Sequence, residues 1–252
     1  MMPANTKAIF QEMFADFQDY YVLIGGTATS IVLDSQGFKS RTTKDYDMVI
    51  IDELKNKEFY NTLNHFLELG EYQGSQKDEK AQLFRFTTTN PEFPSMIELF
   101  SILPQYPLKK DGREIPLHFD QDASLSALLL DEDYYNILVH EKDTIQGYSV
   151  LSNRGLIIFK AKAWLDMRER SATGVQGLSK SIKKHLNDIT RLTASLLGDE
   201  KLSAITSSSA VKADMHRFVI ELEPVKSTIP QNDDISLDQN EIFEILKNFL
   251  DG

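Results

Sequence analysis

Between residues 20 and 51 the chain passes twice through a short, β-favouring apolar run, and each run has a chemically distinctive boundary. Tyr20-Tyr21-Val22-Leu23-Ile24 stops at Gly25-Gly26, after which Thr27 to Leu33 reads as a helix. The run Tyr46 to Ile51 starts from Asp45-Tyr46-Asp47. Strand, glycine turn, helix, strand is an order that an all-helical bundle cannot accommodate. The alternation continues with a helix near Leu54–Leu69 and strands at Gln82–Thr88 and Met96–Ile102, the last two separated by Asn90-Pro91 and Pro94. Upstream, Phe10, Met13, Phe14 and Phe17 recur at helical spacing. A sheet domain of α/β or α+β type follows.

The second half has a different grain. Residues 103–120 are rich in proline, glycine and charge and read as surface loop. Tyr134–His140 and Thr144–Val150 predict late strands or a hairpin. From Asn153 onward the apolar positions recur every three to four residues, giving helices over Leu156–Arg170, Ser179–Leu197, Ser208–Leu222 and Leu237–Leu250. Ile182, Leu186, Ile189 and Leu196 form one apolar stripe, and Asp238 with Glu241 has the spacing of a helix N-terminal cap. The expected architecture is α+β: a mixed β-sheet domain with flanking helices over 1–120, a connecting segment over 121–150 and a mainly α-helical domain over 151–252.

Composition narrows the chemistry. The 252 residues are 41% hydrophobic and 26% charged, which supports a real core and excludes a collagen-like, mucin-like or wholly disordered chain. Cysteine is absent, so disulfides, thiolate metal sites and cysteine nucleophiles are excluded. No apolar run approaches the ~18–20 residues that cross a bilayer, and Glu12, Asp16 and Asp19 interrupt the N-terminal stretch where a signal sequence would be apolar. A cytoplasmic protein without a membrane partner is expected. His65, His118, His140, His185 and His216 lack zinc-site spacing, and no P-loop or nucleophile elbow occurs. The net charge of −11 opposes non-specific contact with nucleic acid, but it is uneven: Lys160 to Lys184 carries +5 and Gln231 to Gly252 carries −5.

Three elements carry candidate chemistry. A strand that ends in two glycines and opens into a helix brings backbone close to a ligand and offers unpaired N–H groups to phosphate oxygens; here these are Gly25, Gly26 and Thr27. Asp45 and Asp47 fall on one side of a strand, about 7 Å apart, where they can share a divalent cation. Their repulsion, ~4 kcal/mol for unit charges at 4 Å and a dielectric of ~20, calls for solvent or a cation. Glu98, inside Met96-Ile97-Glu98-Leu99-Phe100, is costly to bury unless paired or metal-bound, and supplies a third carboxylate if its strand lies beside the Asp-x-Asp strand.

Taken together these elements resemble the nucleotidyltransferase superfamily of polymerase β type, and within it the AbiEii/AbiGii toxin-like nucleotidyltransferases. Val22-Leu23-Ile24-Gly25-Gly26 is similar to that family's hydrophobic-Gly-Gly motif, and Arg41-Thr42-Thr43-Lys44-Asp45-Tyr46-Asp47-Met48-Val49 to its Arg-x-Thr-x-Asp-hydrophobic-Asp stretch. Lys160-Ala161-Lys162-Ala163-Trp164 resembles its Lys-x-x-Ala helix, and Lys183-Lys184-His185-Leu186-Asn187-Asp188 its later basic-x-x-Asp element. The resemblance implies a nucleotidyltransferase-type fold and transfer of NMP from an NTP to a hydroxyl of RNA (tRNA among them), protein or a small molecule. It implies two Mg²⁺ ions on Asp45, Asp47 and Glu98, with Glu98 as third ligand or base. It implies nucleotide contacts from Gly25, Gly26, Thr27, Arg41, Lys44, Lys160 or Lys162, Lys184 and Asp188. A toxin role in a type IV toxin–antitoxin or abortive-infection system, with a cognate antitoxin, is the family-level expectation. The 18 residues between Gly26 and Asp45 exceed the family's usual spacing, and Gly26 replaces its serine. Two other readings fit the same residues: an NTP-binding regulatory or phage-defence protein with little transfer activity, and a protein-interaction module in which the glycines are only turns.

Overall fold

The computed structural model describes residues 4–40, 43–51, 56–77, 80–100, 108–110, 113–115, 131–196 and 200–251. The chain divides into two compact units, one comprising Met1–Ile31, Ser40–Leu130 and Lys142–Leu151, the other Val32–Lys39, Asp131–Glu141 and Ser152–Gly252. The class is α+β, with a mixed sheet in the first unit and helices in the second. Among the described residues no helix is long and apolar enough to cross a membrane.

The first unit is built on a seven-stranded sheet. Its strands are β1 (Tyr21–Ile24), β2 (Asp45–Ile50), β3 (Gln73–Lys77), β4 (Lys80–Thr87), β5 (Met96–Phe100), β8 (Lys142–Ile145) and β9 (Tyr148–Leu151), in the order β3-β4-β5-β2-β1-β9-β8. The central strand β2 runs antiparallel to β1 and parallel to β5. Strand alternation sorts the side chains. The register puts Tyr21, Tyr46 and Tyr148 on one face, and that face is covered by α1 (Ala4–Met13) and α3 (Lys57–Leu69). Phe10 of α1 meets the rings of Tyr21, Tyr46, Tyr148 and Phe66 at 5.0–5.7 Å. Each such ring pair contributes ~0.5–1.5 kcal/mol beyond the area it buries. Asn56 starts α3 by accepting from the backbone N–H groups of Glu58 and Phe59. The opposite face of the sheet carries Asp45, Asp47 and Glu98.

Three expectations change. Tyr134–His140 is not a strand: Glu132–His140 forms a helix, α4, and belongs to the second unit. Asp131 caps it by accepting from Asp133 N–H, and Tyr134, Ile137 and Leu138 bury the i, i+3, i+4 face. Thr144–Val150 is a hairpin rather than one strand, because Gln146 and Gly147 both adopt positive φ, +51° and +81°, the turn that matches strand twist. Its second strand pairs with β1, so the expected connecting segment 121–150 splits between the sheet and a helix, with 121–130 outside the described residues. Within the expected loop 103–120, Leu108–Lys110 (β6) and Arg113–Ile115 (β7) form a separate two-stranded ladder.

The second unit packs α5 (Asn153–Ala172), α6 (Ser179–Ala194), α7 (Ser209–Leu222) and α8 (Gln239–Leu250), close to the helices expected from periodicity. Leu186 and Ile189 of the predicted stripe are buried. The Asp238–Glu241 cap is present in full, with each side chain accepting from the other residue's backbone N–H. Trp164 is core: it is 1% exposed and packs edge-on against Phe218 at 5.2 Å.

Candidate functional site

The site is assembled where β1 ends. Its last residue, Ile24, pairs with Asp47 of β2, and the chain turns at once into α2 (Gly25–Ser35). Gly25 holds φ +70°, which costs an L-residue ~1–2 kcal/mol. A Cβ on Gly25 would stand 2.0 Å from Asp47 Oδ2. Gly25 is therefore required twice, by its backbone angle and by the carboxylate packed against it. Asp47 sits half-buried at the first residue of α2, where the helix dipole favours negative charge. The two motifs, 18 residues apart in sequence, are thus in direct contact.

Asp45 lies two residues earlier on the same face and is exposed. Its Oδ1 is 3.2 Å from the Ser95 hydroxyl. Tyr46 between the acids points to the aromatic face, where burial raises its hydroxyl well above the usual tyrosine range and keeps it neutral. Glu98 is in register with Asp47 across the parallel β2–β5 pair, so the expected adjacency of these strands holds. Its carboxylate, however, is bound by Arg85 of β4, the residue in register with it on the other side. Arg85 was not anticipated. It stands between two phenylalanines in a strand-like run, Leu83-Phe84-Arg85-Phe86, and a lone cation there is the one sequence signal that points to it.

Among the described residues no group of three or more His, Asp or Glu side chains is gathered closely enough to hold a metal ion. The donor set at the open end of β2 is two carboxylates, Asp45 and Asp47, with Glu98 committed to Arg85. Two carboxylates suit Mg²⁺, which keeps several waters and is usually completed by substrate phosphates rather than enclosed by protein.

The remaining expected contacts are distributed as follows. Thr27 is 3% exposed, and its hydroxyl donates to the Asp45 carbonyl at 2.6 Å instead of facing outward. Lys44 is exposed, and its carbonyl accepts from Ser95 N–H at 2.9 Å. Arg41 lies outside the described residues. In the second unit Lys160 and Asp188 are 4% and 2% exposed and pair with each other at 2.8 Å, joining α5 to α6. Lys162 pairs with Asp214 at 2.5 Å, and Tyr134 donates to the same carboxylate at 2.8 Å. Lys184 is exposed. Arg191, at i+7 from Lys184 on α6, grips both oxygens of Asp234 and the Lys39 carbonyl.

No family model and no curated protein matches the chain. Among solved structures, the solution structure of the antibiotic-resistance factor ANT(2'')-Ia is similar over 88% of this chain and 94% of its own, at 11% identity and a TM-score of 0.35.

Proposed function

We propose that this chain is a Mg²⁺-dependent nucleotidyltransferase. The observation that carries the reading is the contact between the Gly25 turn and the Asp47 carboxylate, with Asp45 exposed beside it on the same strand face. A phosphate-binding backbone turn and a cation-binding carboxylate pair are the two parts phosphoryl chemistry requires, because the substrate is polyanionic and the protein supplies little beyond positioning and charge. In the reaction an acceptor hydroxyl attacks the α-phosphorus of an NTP, a new P–O bond forms, and pyrophosphate leaves with the electrons of the broken bond. Mg²⁺, when bound, offsets charge on the attacking and leaving oxygens. Asp45 and Asp47 would hold that ion, the backbone of Gly25 and Gly26 would receive phosphate oxygens, and Lys44 with Arg41 would offset triphosphate charge. Glu98 takes the acceptor proton once Arg85 releases it.

The acceptor is a hydroxyl of RNA, a protein or a small molecule, and a toxin role with an antitoxin partner rests on the motif resemblance alone. The charge pattern favours an acceptor other than a long polyanion. Lys160, Lys162, Arg168 and Arg170, four of the seven basic residues in the +5 stretch, are each ion-paired within the second unit.

Incubation with each α-³²P-labelled NTP and Mg²⁺, with and without total bacterial RNA, tests the reading in wild type, Asp45→Asn and Asp47→Asn. Mg²⁺-dependent label transfer lost in both variants is the expected result. Equal transfer in all three removes these carboxylates from the mechanism. The engagement of Glu98 by Arg85 favours a second reading, an NTP-binding regulatory or phage-defence protein with slow turnover. NTP binding without transfer from any nucleotide selects it.

A further inference from the structure

We infer that Thr27 is a positioning residue for the Asp45–Asp47 pair and not a phosphate contact. The inference rests on the nucleotidyl-transfer reading for its catalytic consequence and on geometry alone for its structural one.

The β1–β2 ladder ends at Ile24 and Asp47, because the chain leaves the strand at Gly25. On that side Asp45 and Tyr46 run beyond the end of β1. Thr27, in the first turn of α2, covers the gap. Its Oγ1 lies 2.6 Å from the Asp45 carbonyl oxygen and 2.9 Å from Thr43 Oγ1. A hydroxyl has one proton. A carbonyl only accepts, so the Thr27 proton goes to Asp45 O, and Thr43 must donate to Thr27. The hydroxyl's one proton is then spent and the side chain is buried, so no proton is left for a phosphate oxygen, which is itself an acceptor.

From the opposite flank, Ser95 N–H donates to the Lys44 carbonyl at 2.9 Å, and Ser95 Oγ lies 3.3 Å from that carbonyl and 3.2 Å from Asp45 Oδ1. The backbone at residues 44 and 45 is therefore held from two sides by neutral donors. Asp47 packs against Gly25. Thr27 thus fixes one carboxylate relative to the same turn that receives the other, which determines the span a shared cation meets. Neutral donors do this without placing a competing positive charge beside the carboxylates.

The test compares Thr27→Val, which keeps the shape and removes the hydroxyl, with Thr27→Ser, which restores it. Under transfer conditions Thr27→Val is expected to lower kcat by about ten- to a hundredfold, the range for a small misplacement of reacting groups. The Mg²⁺ concentration for half-maximal rate should rise, KM for NTP should stay within about twofold, and Thr27→Ser should recover most of the rate. A raised KM with unchanged kcat makes Thr27 a phosphate contact and overturns the inference. Mn²⁺ titration followed by electron paramagnetic resonance gives a readout independent of turnover. If the wild type transfers no nucleotide, the functional reading fails on its own, and the positional claim is decided by Mn²⁺: weaker binding in Thr27→Val, recovered in Thr27→Ser, supports it. Equal affinity in all three, or no Mn²⁺ binding in the wild type, overturns it. Should Thr27→Val not fold, Ser95→Ala replaces it, with the same split between kcat and KM expected and a smaller fall in rate.

Discussion

Two pairs of charged residues, one in each unit, are treated in opposite ways. In the helical unit Lys160 and Asp188 are almost wholly buried and satisfy each other at 2.8 Å. In the sheet unit Asp45 and Asp47 are like charges two residues apart, and the contact made by the exposed one is to a neutral serine hydroxyl. Opposite charges locked in the interior are a structural device, since each offsets the cost of burying the other in a poorly polarisable medium. Like charges at a strand end, one exposed and one half-buried, repel each other, and that repulsion falls when a cation binds between them. Lys160 and Asp188 of the helical half are thus built into the architecture, whereas Asp45 of the sheet half stays exposed to solvent.

The largest expected effect tests the interior pair. Lys160→Met removes the cation paired with the buried Asp188 carboxylate and should cost about 3–5 kcal/mol, while Lys160→Met with Asp188→Leu should recover much of it. Denaturant unfolding of the three proteins measures both, and a loss below about 1 kcal/mol for the single variant would erase the contrast. The accessible pair should behave conversely. Asp45→Asn and Asp47→Asn are expected to lower transfer by about 10²–10³-fold, the loss seen when one preorganised electrostatic contact is removed. The unfolding free energy should stay within about 0.5 kcal/mol for the exposed Asp45, as for a surface substitution. A large stability loss there with normal turnover would mean that Asp45 is architectural as well.

Gly25→Ala sits between the two. Positive φ costs about 1–2 kcal/mol, and the new methyl must displace the Asp47 carboxylate, so stability and transfer should fall together. A variant that retains full turnover while losing stability separates the turn from the chemistry. The smallest effect concerns Asp234. The hydrogen bonds from Arg191 hold its carboxyl below the ordinary value. A lowered native pKa means that the unfolded chain binds the proton first as pH falls. The contribution is therefore complete above about pH 4, the ordinary carboxyl range, and is lost as pH drops through the lowered native value. Asp234→Asn should lower the midpoint at neutral pH and flatten its fall in acid. Parallel acid limbs for wild type and variant would leave Asp234 without this role.

The Gly-Gly turn and the Asp-x-Asp strand start of the candidate site were legible because each is local. A β-run ending at Gly25-Gly26 and a strand opening with Asp45-Tyr46-Asp47 each follow from nearest-neighbour conformational rules. The helical half was legible for the same reason, down to the Asp238–Glu241 cap. Tyr134–His140 misled because Tyr134, Tyr135 and Val139 favour strands. The segment is helical because Asp131 caps it and three apolar residues at helical spacing find a buried surface, an advantage of packing that outweighs local preference. Arg85 was illegible for a different reason. A strand's alternation says which way a side chain points but not which strand lies alongside.

The sequence by itself determined most of the elements and the two motifs at the ends of β1 and β2, since turns, caps and periodicity depend on residues a few positions apart. Tertiary structure alone decided the employment of the polar side chains. It gave the Thr27 hydroxyl to the Asp45 carbonyl, Lys160 to Asp188 and Glu98 to Arg85, and it set the Asp47 carboxylate against Gly25. A hydrogen bond or ion pair selects its partner by position in space, and that position exists only once the sheet register and the helix packing are in place.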